Sequence, residues 1–422
     1  MSRMPRSVRI TLGVSVALLA AYAILWSTVT QLEIGRSDFT STYVGGLLLR
    51  QGHPGELYDL TAQSQLHAQL IAPDTEGNLP FVDAPLAAAL AAPVTLLGLD
   101  LAYRLWGLLQ LAVLTLAVGI AAWSAPWPSR TPRVWKAAVA LVALGGAGTL
   151  VELLQAQWGS VLALGLALAY RDWKHGRHLR GGMWLILCAG IAKPHLALGL
   201  FAFILGWRNR QVLIGALGAG LAVVILSVLV AGPAGPLKFV ELAITSNTQW
   251  QLSTFSSFVG IPGSFLGNAG AAQIIGAIGD LIALGVAASL GAMVRSLPAR
   301  LDVALAGAAA LSILASPHAG IHDLVMLAPA MAWCTALAVA HAWEVQGLGR
   351  WRGPLLPVGL WLLLTCAAFV SLGDGGASPP FQLVPWALIG AAAVTWVVSR
   401  NQMEPVADPL PGGRGGAVAY AP

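Results

Sequence analysis

The residues able to do chemistry fall in a few short segments. The stretch SDFTSTYVGGLLLRQGHPGELYD (37–59) follows the first apolar run and carries two carboxylates, Asp38 and Asp59, with two phenols, Tyr43 and Tyr58. Lys193 and His195 interrupt a second apolar run. The segment SPHAGIHD, Ser316–Asp323, places His318, His322 and Asp323 between two more. Glu152, Gln155 and Gln157 make a further polar break, ELLQAQWG. Ionisable groups amid membrane-compatible sequence are costly and mark functional sites. Ser316 is a good N-cap and Pro317 suits a first helical position, so the spacing predicts a helix starting there. His318 and His322 would then share one face of its opening turns. A helix N-terminus offers free N–H groups and partial positive charge, which suits a phosphate and favours neutral, proton-accepting imidazole. Glycosyl or phosphoryl transfer is the chemistry such a set fits.

Each of these residues also has a plainer reading. Asp38 could be a solvated helix-end residue, Asp59 a cap or brace of its loop, and His318 a partner for a backbone carbonyl. Lys193 could snorkel to an interface, and Glu152 and Gln157 could hydrogen-bond between helices.

The elements that position them are apolar helices. The chain has 422 residues, 57% hydrophobic and 10% charged, with a mean hydropathy of +0.74. A soluble domain would carry roughly a quarter of its residues as charges. Runs of roughly 20 apolar residues recur from end to end, and strand-like alternation is absent, which predicts an all-α polytopic membrane protein. Arg3, Arg6 and Arg9 precede an apolar run from Ile10 to about residue 30, too long for a signal-peptide core and read as an uncleaved first span. The other basic groups, Arg171–Arg180, Arg208 and Arg210, Arg295 and Arg300, and Arg350 and Arg352, assign their loops to the cytoplasm. The same logic makes them orientation signals, with no nucleic-acid partner implied. The first loop, 31–84, holds Glu33, Asp38, Glu56, Asp59, Asp74, Glu76 and Asp83 against Arg36 and Arg50, and is expected to face outward.

Downstream, a bent hairpin is expected over 182–206, turning near Lys193-Pro194, with spans at 211–231, 272–293, 302–315, 321–343, 354–372 and 383–399. Between the first loop and Arg171, four apolar stretches (85–99, 101–123, 137–153, 157–170) must make an odd number of crossings, so one is half-inserted or two form a re-entrant pair. The sum is about 12 transmembrane helices in one domain, 1–400, with a disordered Gly/Pro-rich tail over 401–422. The outward segment 232–270, with Lys238, Glu241, Asn247 and Gln249, is expected to shape an acceptor cleft. Cys188, Cys334 and Cys366 sit in apolar runs without metal-ligand spacing, and no metal or cofactor is expected.

Together, the segment from Asp38 to Asp59, the VDAPL stretch (Val82–Leu86), the Gln157–Gly159 break, the Lys193-Pro194 pair after a basic loop, and the Ser-Pro…His-Asp tip resemble the GT-C superfamily, and within it glycosyltransferase family 87. That group includes polyprenyl-phosphate-mannose-dependent α-1,2-mannosyltransferases. The resemblance covers nearly the whole chain. It implies a sugar, mannose or a related hexose or pentose, moved from a polyprenyl-phosphate donor to a lipid-linked or cell-envelope glycan, at the outer face of the cytoplasmic (inner) membrane. The displacement would be direct and inverting. It implies catalytic roles for Asp38 and His322, either of them the base, with Lys193 and His322 toward the lipid phosphate. His318, Asp323, Tyr43, Tyr58, Asp59, Gln157 and His195 would line the substrate. Where some members carry a second consecutive His, this chain has Asp323. Two other classes compete: a flippase or transporter for lipid-linked sugars, against which stands the lack of repeated halves with matching broken helices, and a non-catalytic subunit, which would tolerate loss of Asp38 and His322.

Overall fold

The computed structural model describes residues 6–73, 79–129, 131–246, 251–345, 352–373 and 383–401. Every regular element among them is helical, as a chain that must satisfy its backbone within lipid requires. Helix α1 (Arg6–Ser27) leads into α2 (Gln31–Gly35), α3 (Asp38–Arg50) and α4 (Leu60–Ile71), so the expected first loop is itself mostly helix. Next come α5 (Pro85–Ala91), extended by a 3-10 turn to Leu96, then α6 (Leu99–Ser124), α7 (Arg133–Leu144), α8 (Ala147–Gln155) and α9 (Gly159–Lys174). Helices α10 (His178–Ile191) and α11 (Leu198–Trp207) flank the break at Lys193-Pro194. They are followed by α12 (Arg210–Ala231), α13 (Gly235–Ser246), α14 (Gly260–Leu266), α15 (Gly270–Ser296) and α16 (Leu301–Leu314). The 3-10 turns Ile321–Leu327 run into α17 (Ala328–Val345), and α18 (Arg352–Gly373) and α19 (Leu383–Asn401) close the chain. Residues 402–422, Asn247 and Gln249 lie outside the described residues.

Among the described residues, six helices are long and apolar enough to cross a bilayer: α1, α6, α12, α15, the helix Ile321–His341 and α19. Helices α7 and α8, bent by 59° at their junction, make a seventh if they form one span. This is a multi-pass membrane protein. The count stops short of the expected twelve because the apolar helices 85–96, 178–191, 194–207 and 356–372 are shorter than the roughly 20 residues a bilayer core asks for.

Two features hold the central hairpin in place. Helix α11 stops at Arg208 in a left-handed turn (φ 56°), and the Asn209 Oδ1 accepts the N–H groups of Gln211 and Val212 to start α12 at once. Helices then meet through glycine. A Cβ on Gly182 would lie 2.3 Å from the Val212 carbonyl oxygen, and one on Gly206 would lie 1.8 Å from that of Ala288. No other residue fits such backbone contact, the usual device of helices packing in lipid. Helices α10 and α11 are thereby pinned to α12 and α15.

A second apolar cluster lies under α3. Phe39, Tyr43, Phe81, Tyr103, Trp106 and Trp158 are all buried, with Phe39 edge-on to Tyr103 at 5.8 Å and Trp106 edge-on to Trp158 at 4.8 Å. Trp158 and Trp333 are among the largest fully buried side chains, so these tryptophans pack the interior; Trp123 and Trp386 are exposed. His175 is exposed, whereas His178 stacks edge-on to Trp207 at 5.6 Å.

Candidate functional site

Pro194 lacks an N–H and disfavours helix in the residue before it, so the chain opens at Lys193 (φ −142°, ψ 83°). Helix α10 supplies 14 residues before the break, roughly 21 Å of rise. The Lys193 Nζ lies 2.7 Å from His322 Nε2 and donates to Asp323 Oδ1, also at 2.7 Å. Lys193 is 6% exposed and Asp323 1%. An ammonium has no lone pair, so His322 Nε2 is the acceptor and its ring proton falls on Nδ1. Asp323 Oδ2 accepts the Gly320 N–H at 2.8 Å, so one carboxylate both starts the helix and holds the lysine.

That bond corrects the expected helix start. Residues 315–320 are not helical, Gly320 is the N-cap, and the Ser316 hydroxyl donates instead to the His318 carbonyl at 3.1 Å. The tip is drawn out because Ser256 N–H donates to the Ala319 carbonyl at 2.7 Å and Phe258 N–H to that of Leu314 at 2.9 Å. His318 therefore does not share a face with His322. It lies against His195, ring centroids 4.2 Å apart. Burial, reinforced by Lys193, pushes the His318 imidazole down to about 4.

Two more carboxylates, Asp83 and Glu152, lie within electrostatic reach of this cation, and Asp38 lies within reach of Asp83 and His318. Asp38 opens α3, and its N–H donates to Gln155 Oε1 at 3.0 Å, tying α3 to the end of α8. No hydrogen bond from the described residues reaches its carboxylate, which stays half-buried. Glu152 Oε1 accepts both the N–H and the hydroxyl of Ser160 at 2.8 Å, bracing the start of α9 across the left-handed Ala156 (φ 49°). Its other oxygen is buried without a partner. This gives the interhelical reading of Glu152 a definite form, while the residue remains within electrostatic reach of Lys193 and His322. Asp83, just before α5, is the group the sequence did not single out. Burial pushes its carboxyl up to about 6, Lys193 pulls it down, and the Asp38 and Asp323 carboxylates push it up again. Its local signals were its place among the acids of the first loop and within the VDAPL stretch.

The other expected residues engage the chain itself. The Tyr43 hydroxyl donates to the Leu97 carbonyl at 2.8 Å, and the Tyr58 hydroxyl to the Asp83 carbonyl at 2.8 Å. Asp59 Oδ1 caps α4 by accepting the N–H groups of Thr61 and Ala62. The Gln157 side-chain oxygen is buried without a partner. Thus Lys193, His322 and Asp323 meet directly and His195 meets His318, whereas Tyr43, Tyr58 and Asp59 use their polar atoms within the fold. Among the described residues, no group of three or more His, Cys, Asp or Glu is arranged to hold a metal.

Such a site can hold an anion on a buried cation and take a proton onto a nearby unpaired carboxylate. The sequence profile of glycosyltransferase family 87 matches residues 81–317, more than half of the chain, and the chain belongs to that family and is a glycosyltransferase. The matched residues include Asp83, Glu152, Lys193 and His195; Asp38, His322 and Asp323 lie beyond them. No curated protein and no solved structure matches the chain.

Proposed function

We propose that this family 87 enzyme moves a sugar, mannose being the first candidate, from a polyprenyl-phosphate donor to a lipid-linked or cell-envelope glycan at the outer face of the cytoplasmic membrane. The observation that carries this reading is the buried Lys193, bonded to His322 and Asp323, in the same neighbourhood as the unpaired Asp38 carboxylate. A lipid phosphate needs a cation held at membrane depth, and an acceptor hydroxyl needs a base.

The acceptor oxygen attacks the anomeric carbon as the bond to the phosphate oxygen breaks. The electron pair leaves on the polyprenyl phosphate, which gains one negative charge, and the hydroxyl proton passes to Asp38. One displacement inverts the anomeric centre and needs no covalent intermediate. Lys193 has a third N–H beyond the two bonded positions, and His322 carries a proton on Nδ1. Both can donate to the departing phosphate, where preorganised donors contribute most. In this reading Asp38 is the base, supported by the contact that turns His322 Nε2 toward Lys193.

In this reading the chain crosses the membrane about twelve times. Segment 85–96 is the half-inserted stretch: it packs against α3, while α6, the bent pair α7–α8, and α9 make the odd number of crossings that end at the basic Arg171–Arg180 segment.

The test is transfer of radiolabelled mannose from synthetic polyprenyl-phosphate-mannose to a membrane-lipid extract by purified protein. Wild type is expected to transfer, and well-folded Asp38→Ala and His322→Ala are expected not to. A wild type inactive with every polyprenyl-phosphate sugar refutes the polyprenyl-phosphate donor. Activity that survives both substitutions refutes the site.

A further inference from the structure

Beside the Lys193 cation, four polar atoms are sealed from solvent with no hydrogen-bond partner: His195 Nε2, His318 Nδ1, Ser256 Oγ and Ser257 Oγ. His195, His318 and Ser256 belong to one neighbourhood, and Ser257 is the next residue along the chain. The imidazoles lie 4.2 Å apart, the Phe255 ring lies 6.2 Å from His318, and the Ser256 N–H is bonded to the residue following His318. Ser256 and Ser257 are fully buried. A buried polar atom without a partner costs about 1–3 kcal/mol, and native proteins hold only a few per hundred residues. Four so close in the chain and the fold offer their polar atoms to a partner that the chain itself does not supply.

Their chemistry selects the ligand. Hydroxyls and neutral imidazoles both donate and accept, and none of the four groups brings a net charge. Two rings this close do not both carry a proton's charge, since like charges oppose ionisation. Such a set fits a neutral, hydroxyl-bearing group and offers nothing particular to a phosphate, whose cation is Lys193. Position agrees: both rings lie within electrostatic reach of Lys193 and His322. Phe255 adds an apolar face of the kind that covers sugar C–H groups.

We infer that His195, His318, Ser256 and Ser257 form the subsite for hydroxyl groups of the transferred sugar, and so set which sugar the enzyme accepts. The inference rests on the proposed placement of the donor phosphate at Lys193. It takes residues 255–257 from the outward segment 232–270, expected from the sequence to shape an acceptor cleft, and gives them to the donor sugar.

The experiment uses the full chain in lipid nanodiscs and two probes, synthetic polyprenyl phosphate and the same lipid bearing mannose. Binding and thermal unfolding are measured for wild type, His318→Phe and Ser256→Ala/Ser257→Ala. Wild type is expected to bind the sugar-bearing lipid at least about tenfold more tightly, the worth of one or two net hydrogen bonds. Both variants are expected to lose that preference and to bind the sugarless lipid within about twofold of wild type. The serine variant should unfold at the wild-type temperature or above, because its hydroxyls have no protein partner to lose. A preference retained by both variants overturns the subsite and leaves the donor reading standing. A serine variant that melts lower shows a structural role and also overturns it. A wild type that binds neither lipid overturns the donor reading and the subsite together.

Discussion

Lys193→Met tests the centre of the argument. The substitution keeps most of the side chain's length and removes its charge. Asp323 would keep the Gly320 N–H at 2.8 Å but lose the ammonium at 2.7 Å, and its Oδ1 would face the acceptor nitrogen of His322 at 3.2 Å. Because both partners are buried, this is the case where removing one costs most, about 3–5 kcal/mol, through the charge left behind. Asp83 and Glu152 also lie within reach of Lys193, so the uncompensated negative charge extends beyond one carboxylate. The variant is expected to unfold several degrees below wild type. Adding Asp323→Asn removes the stranded charge, so the double variant should be more stable than the sum of the single losses by about 2 kcal/mol or more, in the range of direct contacts.

Transfer should follow a different pattern. Without the cation the departing phosphate is unsupported, and loss of one preorganised donor costs about 10²–10³ in rate. The double variant is expected to recover stability and not activity. Denaturant or thermal unfolding in detergent, paired with the radiolabel transfer assay, reads both. Lys193→Met with wild-type stability would refute the buried-pair argument. A double variant that regains transfer would make Lys193 a structural cation and refute its role toward the phosphate.

Asp38→Asn removes a carboxylate that bonds nothing among the described residues, so unfolding should be unchanged while the transfer rate falls about 10²–10⁴-fold, the contribution of a positioned base; a matching loss of stability would contradict the unpaired reading. Asp83, held at about 6 by burial, gives a pH signature. Its folded value lies above its unfolded one, so its contribution to stability is full below about pH 4 and is lost as pH rises through about 6, on the order of 3 kcal/mol. Unfolding measured from pH 4 to 7 should show that slope, and Asp83→Asn should flatten it. Gly206→Val places a side chain against the Ala288 carbonyl and should prevent α11 from docking on α15, read as loss of the folded, monodisperse species in detergent; a well-folded variant would show the crossing to be looser than described.

What the sequence made legible follows from the range of the forces involved. Span positions depend on local apolar length, so 272–293 and 383–399 fall within Gly270–Ser296 and Leu383–Asn401. The hairpin break was readable because Pro194 acts on its own neighbours. The start of the helix after the tip was not. Ser316 and Pro317 carry a sound local signal, yet it is overruled by backbone bonds from Ser256 and Phe258, some sixty residues away, and by Asp323 capturing Gly320. The first loop concealed α3 for a related reason. Its apolar face is paired with α5 and the aromatic cluster around Trp106 and Trp158, a match visible only once those segments meet.

The same distinction governs the site. Lys193 and His322 stand out because charge in apolar sequence is costly wherever it falls. That Lys193 would pair with Asp323, that His318 would turn to His195, and that Asp83 would feel all of them are facts about convergence from segments far apart in the chain. A sequence therefore exposes the cost of each buried polar group before it exposes the partner that offsets it. Among the groups that the fold leaves without a partner, the Asp38 carboxylate and the cluster around His195, His318, Ser256 and Ser257 are the ones the proposed substrate would meet.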